Sequence, residues 1–234
     1  MQDLDSRIDR LAHNRRTLPE HEQIADLGKQ REAASGQVVV AQTEVDDLGR
    51  EQRKADADVE QVKTRRQRNQ QRLDQGQVGS PKELESLQHE LQTLERRISD
   101  LEDAELDVME RLENAQSELN RLQSSIEEYD RSLEELVQRR DAAVAQIDGE
   151  VASAEAERAQ IVDGIPDDLL KLYERLRASH GGVGAAALVQ RRCQGCRLEL
   201  NAADLRAMAA APDDEVLRCE ECTRILVRTG ESGL

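Results

Sequence analysis

Apolar residues recur along the middle of this chain at an alternating spacing of three and four. From Leu84 the series runs through Leu87, Leu91, Leu94, Ile98 and Leu101. It continues through Val108, Leu112, Ala115, Leu119, Leu122, Ile126, Tyr129, Leu133 and Leu136, with Glu105 as its one polar member. An apolar stripe of period 3.5, kept for more than seven heptads, is the seam of a coiled coil and is narrower than the buried face of a globular helix. After Leu133 the series steps four residues to Val137 and resumes at Val144, Ile147, Val151, Ala154 and Ile161. Such a stutter locally unwinds a supercoil. An earlier series from Ile24 to Leu73 keeps the same rhythm with polar breaks at Arg31, Gln52, Arg66 and Asn69. Composition agrees with long helices. Charged residues make up 35% of the 234, there is no Phe or Trp, and the two Tyr cannot supply the volume of an ordinary core.

Two breaks order the helices. Pro19 is expected to break or kink the chain after a short amphipathic helix marked by Leu4, Ile8 and Leu11. Between the two long arms lies Asp74-Gln-Gly-Gln-Val-Gly-Ser80, followed by Pro81-Lys-Glu83. Ser80 suits the N-cap, Pro81 the first helical position, and Glu83 the far corner of a capping box. The arms should therefore fold back as an antiparallel hairpin, each about 80 Å long at 1.5 Å per residue. Pairing Leu73 with Leu84 sets a register that puts Gln52 opposite Glu105 and Ala41 beside Ala115. Beyond a breaker at Asp163-Gly-Ile-Pro166, residues Asp167 to Arg177 read as a linker helix, and Ser179-His-Gly-Gly-Val-Gly184 as a flexible exit. The expected organisation is a helical hairpin over 1–163, with a kink near 17–19 and its tip at 74–80. A linker follows over 164–182, then a small domain over 183–234. The fold class is mainly α, a long antiparallel coiled-coil hairpin followed by a small C-terminal β domain.

The small domain carries the identifiable chemistry. Its cysteines form two pairs, Cys193-Gln-Gly-Cys196 and Cys219-Glu-Glu-Cys222. Each Cys-x-x-Cys turn brings two thiolates to one metal, and two turns complete a tetrahedral sulfur site. Short apolar segments flank both pairs, which is the pattern of a small C-terminal β zinc ribbon with each knuckle at the end of a β-hairpin. About fifty residues without an aromatic cannot hold themselves by burial alone. One structural Zn²⁺ is the expected cofactor, and four thiolates leave it no open position for catalysis. A thioredoxin-type redox pair would need a βαβ context that is missing, and disulfides would suit a secreted chain, whereas no signal sequence is visible. No catalytic residues are assigned, and an enzyme is not expected.

Four passages together resemble one bacterial family, that of helical coiled-coil hairpins followed by a C4-type zinc ribbon. They are Leu4-Asp-Ser-Arg-Ile-Asp-Arg-Leu11 leading to Leu18-Pro-Glu20, and the turn and restart over residues 80–90. The others are the knuckles Cys193-Gln-Gly-Cys-Arg-Leu-Glu-Leu200 and Cys219-Glu-Glu-Cys-Thr-Arg-Ile-Leu226. The resemblance implies an adaptor or regulator, with some members linked to RNA and others to protein partners. The second knuckle departs from the pattern. Glu220 and Glu221 stand where Pro or Asn is more usual, and Thr223 where Gly usually follows the last Cys.

Charge narrows the partner. The net charge is −16, with residues 1–73 neutral and residues 81–163 at −14. Most of the surface should repel a polyanion. One local exception is the cluster Lys63, Arg65, Arg66, Arg68 and Arg72, which contains no acid and adjoins Lys82 at the hairpin tip. It is a candidate contact for an anionic partner, or else a solvated face balanced by Glu83, Glu85, Glu90 and Glu95. Arg191, Arg192, Arg197 and Arg224 are the corresponding candidates on the ribbon. A protein partner is expected first, nucleic acid second, and a membrane not at all. A cytoplasmic monomer or weak dimer fits these readings.

Overall fold

A computed structural model describes all 234 residues. In chain order the elements are α1 (Gln2–Arg16), α2 (Pro19–Asp74), α3 (Pro81–Val162), α4 (Asp167–Ser179), β1 (Ala185–Val189), β2 (Arg192–Cys193), α5 (Ala202–Ala210), β3 (Leu217–Arg218) and β4 (Ile225–Val227). The chain divides into two compact units, Gln23–Leu136 and a second made of Met1–Glu22 with Val137–Leu234. The division in α3 falls at the stutter in the apolar series. The helix runs through it unbroken, because a stutter alters the supercoil and leaves the backbone hydrogen bonds in place.

The Gln23–Leu136 unit is the helical hairpin. Its buried seam is built from Ala34, Ala41, Leu48 and Val59 on α2 and from Leu87, Leu94, Val108, Leu119, Leu122 and Leu136 on α3. Fully burying one such leucine or valine contributes about 1.5–3 kcal/mol, so stability is spread along many small layers. The tip forms as the capping residues require. The Glu83 amide donates to Ser80 Oγ at 3.2 Å, and Glu83 Oε2 accepts from the Gly79 amide at 2.9 Å. Gly76, with φ +64°, supplies the left-handed step that ends α2.

The register differs from the expected one by a single helical turn. Ala41 packs against Leu119 and Leu122 rather than Ala115. Glu105 stands beside Asp56, one helical turn on from Gln52. Both differences are four residues in the same direction. Leu84, which anchored the expected register, is 38% exposed, and the first well-buried leucine is Leu87. The cause is the periodicity itself, because a slide of one turn brings apolar residues opposite apolar residues again. Asp56 and Glu105 are two carboxyl groups sharing one place, and their hydrogen bond and mutual repulsion hold the Glu105 pKa above the usual carboxylate range.

In the other unit, α1, the C-terminal part of α3, and α4 meet around Tyr173 and Asp5, both 2% exposed. Tyr173 donates its hydroxyl proton to Asp5 Oδ2 at 2.5 Å, and Arg158 Nε donates to Asp5 Oδ1 at 2.6 Å. Arg158 also pairs with Glu174, and Arg177 with Asp9 at 2.7 Å. Burial and the Asp5 carboxylate push the Tyr173 pKa upward, which keeps the phenol protonated as a donor. The chain breaks fully at Thr17 and Leu18, and Pro19 opens α2, where its missing N–H costs nothing.

The ribbon's four strands are ordered β2-β1-β4-β3. β1 and β2 pair antiparallel, as do β3 and β4, while β1 and β4 run parallel. One face of this sheet packs on α5, burying Ala186, Leu188, Leu200, Leu205, Met208 and Leu226 around the two buried cysteines. Helix α5 was not expected from the periodicity. Its N-cap is Asn201, whose side chain accepts from the Ala203 and Asp204 amides, and Arg228 closes its other end by donating to the Met208 and Ala211 carbonyls.

Candidate metal centre

The four cysteines converge from the two knuckles. The first follows β2, and the second is the turn joining β3 to β4. Within each knuckle a backbone bond closes the loop, from the Arg197 amide to the Cys193 carbonyl at 2.7 Å and from the Thr223 amide to the Cys219 carbonyl at 2.8 Å. Both closing residues adopt left-handed backbone, φ +64° at Arg197 and φ +62° at Thr223. Each directly follows the second cysteine of its pair. Glycine suits that conformation, and a branched residue such as Thr adopts it at a cost.

The sulfur geometry fits zinc. All four Sγ atoms lie within 4.8 Å of one another, with Cys193 and Cys222 at 3.8 Å and Cys196 and Cys219 at 3.9 Å. Four sulfurs held about 2.3 Å from a tetrahedral centre stand about 3.8 Å apart. Burial pushes the Cys193 thiol up and the Cys219 thiol up to about 12. Cys222 is also penalised by burial, but hydrogen bonds from the backbone and side chain of Arg224 outweigh it and bring the thiol down to about 7. Thiolates are the ligating form, so a dication is what makes four of them tolerable in this interior. Cys193, Cys196, Cys219 and Cys222 would hold one Zn²⁺, which would cross-link the two hairpins and leave no coordination position for a substrate.

Comparison with known proteins agrees with this architecture. The family model of the CT398-like coiled coil hairpin domain matches residues 1–181, and that of the C4-type zinc ribbon domain matches residues 192–226. The chain belongs to the CT398-like coiled-coil hairpin family. Among its relatives are Uncharacterized protein MT2288 and Uncharacterized protein Rv2229c, from two strains of Mycobacterium tuberculosis. Each is 33% identical over 225 residues, covering 96% of this chain and 91% of the relative. A solved structure from Mycobacterium smegmatis shares 33% identity with a TM-score of 0.79, covering 97% of this chain and 94% of that one. CT398 from Chlamydia trachomatis shares the fold at 19% identity and a TM-score of 0.64, over the same shares of the two chains.

In this CT398-like chain the tip cations are mostly engaged across the hairpin. Lys63 pairs with Glu102 at 2.7 Å, Arg65 with Glu90 at 2.6 Å, Arg66 with Glu95 at 3.2 Å, and Arg72 with Glu83 at 3.3 Å. All four pairs are solvent-facing, so an incoming anion competes with them at small cost. Arg68 and Lys82 are exposed and form no ion pair. On the ribbon, Arg191 reaches the Gly233 carbonyl, Arg192 lies 3.8 Å from Glu199, and Arg197 is exposed.

Arg224 is different. Its Nε donates to the Val183 carbonyl at 2.9 Å and its Nη2 to the His180 carbonyl at 3.1 Å. Its side chain also covers Gly195, where a Cβ would come within 2.6 Å of Arg224 Cδ. The residue that lowers the Cys222 pKa thus also fastens the segment before β1. Gln2 fastens the same segment from α1, accepting at Oε1 from the Gly184 amide (2.8 Å) and the Ala185 amide (3.1 Å). The expected flexible exit at 179–184 is therefore tied down at both sides. No spacing rule could have shown it, because Gln2 and Gly184 are 182 residues apart.

Proposed function

We propose that this protein is a non-enzymatic, zinc-dependent adaptor that recognises macromolecular partners through its coiled-coil hairpin and its ribbon. The observation that carries the reading is the closed sulfur site. A metal saturated by four thiolates organises a fold and offers no position to a substrate, while the surfaces left for work are side-chain surfaces on a hairpin and a small sheet. The family assignment is consistent with this. No helix is long and apolar enough to cross a membrane, and a reduced compartment such as the cytoplasm suits thiolate ligands. The test is affinity capture with the zinc-loaded chain, with and without nuclease. A defined protein partner that survives nuclease treatment is expected, and recovery of nucleic acid alone would overturn the adaptor reading.

The free Arg68 and Lys82, set among four exchangeable ion pairs, support a second reading in which the tip binds the phosphates of RNA or DNA. Each cation that neutralises a phosphate adds about one unit to the salt dependence of affinity. Reversing Arg65, Arg66 and Arg68 to Glu should then abolish nucleic-acid binding with helicity and zinc content unchanged. Unaltered binding would mark the cluster as ordinary surface.

A further inference from the structure

Successive side chains of a strand point to opposite faces of its sheet. Ala186, Leu188 and Leu226 point into the core beneath α5, so Ala185, Ala187, Ile225 and Val227 belong to the other face. The register extends this set. Ala187 pairs with Val227 across the parallel strands, and Leu217 pairs with Leu226, which places Val216 beside Val227. The second face is thus apolar along its two central strands and at Val216, with Arg192 and Arg218 on the edge strands, and α5 packs on the opposite face.

The second face is covered unevenly. Its Ala185 end adjoins the segment held by Gln2 and Tyr173. At the other end Val216 is 43% exposed and Val227 48%. Between them and Leu169 of α4 lies an open groove of about 400 Å³, whose wall includes Asp213, Asp214 and Glu215. All three acids are exposed. The one cation in the groove wall, Arg228, is spent on the carbonyls that end α5 and on Asp213. β3 is also an edge strand, so its outer backbone groups are free to pair with an added strand.

We infer that this groove is a docking site for a short cationic segment of a partner protein. An apolar side chain would rest on Val216 and Val227, and Lys or Arg would face Asp213, Asp214 and Glu215. The argument for this occupant is charge complementarity: three exposed carboxylates beside an apolar patch, of which only Asp213 has an ion-pair partner, repel nucleic acid and favour a peptide that alternates cations with apolar residues. The inference rests on the adaptor reading and assigns it one surface, distinct from the ribbon arginines.

The probe is a synthetic octapeptide of alternating lysine and leucine, titrated into the isotope-labelled, zinc-loaded full chain. Controls are the same peptide with glutamate for lysine and an eight-nucleotide single-stranded RNA. The expected result is amide shifts concentrated at Ala187, Val216 and Val227, with neither control reproducing them. Affinity should fall about tenfold in Val216→Ser/Val227→Ser, and by a similar factor in Asp213→Asn/Asp214→Asn/Glu215→Gln. Unchanged zinc content and unchanged core amides at Leu188 and Cys193 certify that both variants are folded. Shifts located elsewhere, equal affinity in the folded variants, or the same shifts with the RNA would each overturn the site. Such a failure alongside nuclease-resistant partner capture would remove the groove and leave the adaptor reading standing. Peptide binding here without any captured partner would do the reverse.

Discussion

The hairpin and the ribbon solve the same problem, a shortage of large apolar side chains, in opposite ways. In the hairpin, stability comes from many equivalent layers such as Ala41 against Leu119 and Leu122. In the ribbon, one centre gathers Cys193, Cys196, Cys219 and Cys222 from two turns. A repeated seam can slide by a turn and still match, and a four-ligand centre cannot. The hairpin therefore tolerates local damage and defines its register weakly, whereas the ribbon defines its geometry sharply and depends on a single part.

Removing that part is the strongest way to break the comparison. Zinc contributes about 10–16 kcal/mol to domains of this kind, and its removal leaves only the small core of Leu188, Leu200, Leu205, Met208 and Leu226 to offset the cost of ordering the ribbon. Chelation, or Cys219→Ser, should unfold residues 183–230 while α2 and α3 stay helical, as read by amide exchange and circular dichroism. Near-native exchange protection of the ribbon in metal-free protein would count against it, as would a metal content far below one per chain.

The weakness of the hairpin's register is tested by cross-linking. With the zinc-loaded ribbon protecting the native thiols, Asp56→Cys with Glu105→Cys should form an intramolecular disulfide under mild oxidation. Gln52→Cys with Glu105→Cys should do so far more slowly, since it needs a shift of one helical turn. Equal rates would show that both registers are populated. Asn69 bears on the outcome, being a buried polar residue in the seam with an unpartnered amide nitrogen. A polar group in that position costs stability and discriminates among registers.

The smallest effect concerns strain in the ribbon. Thr223 holds φ +62° directly after a ligand, a conformation that costs a residue with a Cβ roughly 1–2 kcal/mol. Thr223→Gly should raise the ribbon's resistance to chelator-induced unfolding by about 1 kcal/mol, with the hairpin's thermal transition unmoved. A loss of stability would mean that the threonine side chain contributes more than its backbone costs.

Local signals were legible in the sequence, and distant ones were not. The arms, the tip at 74–80, the break before Pro19 and the four ligands all follow from spacing and capping within a few residues. The register did not, because Leu73 and Leu84 bracket a turn whose span the sequence leaves open by one helical turn. Helix α5 had a local signal in Asn201 ahead of an alanine-rich run. Its nine residues bury only Leu205 and Met208, too few to show a period. Arg224 looked like any other ribbon arginine beside a cysteine, and only the fold brings it to the His180 and Val183 carbonyls.

The bond between Tyr173 and Asp5 joins residues 168 positions apart. At about 5–20 residues added per second during synthesis, Asp5 leaves the ribosome roughly 8–34 s before Tyr173 does. Helix α1 therefore waits, without its partners on α3 and α4, while the whole hairpin is made. Its sequence suits the wait, with Asp3, Asp5, Arg7, Asp9 and Arg10 spaced along the helix. Until its partners arrive, the apolar stripe of Leu4, Ile8 and Leu11 has nothing on α3 or α4 to cover it, and these interspersed charges are what oppose its aggregation.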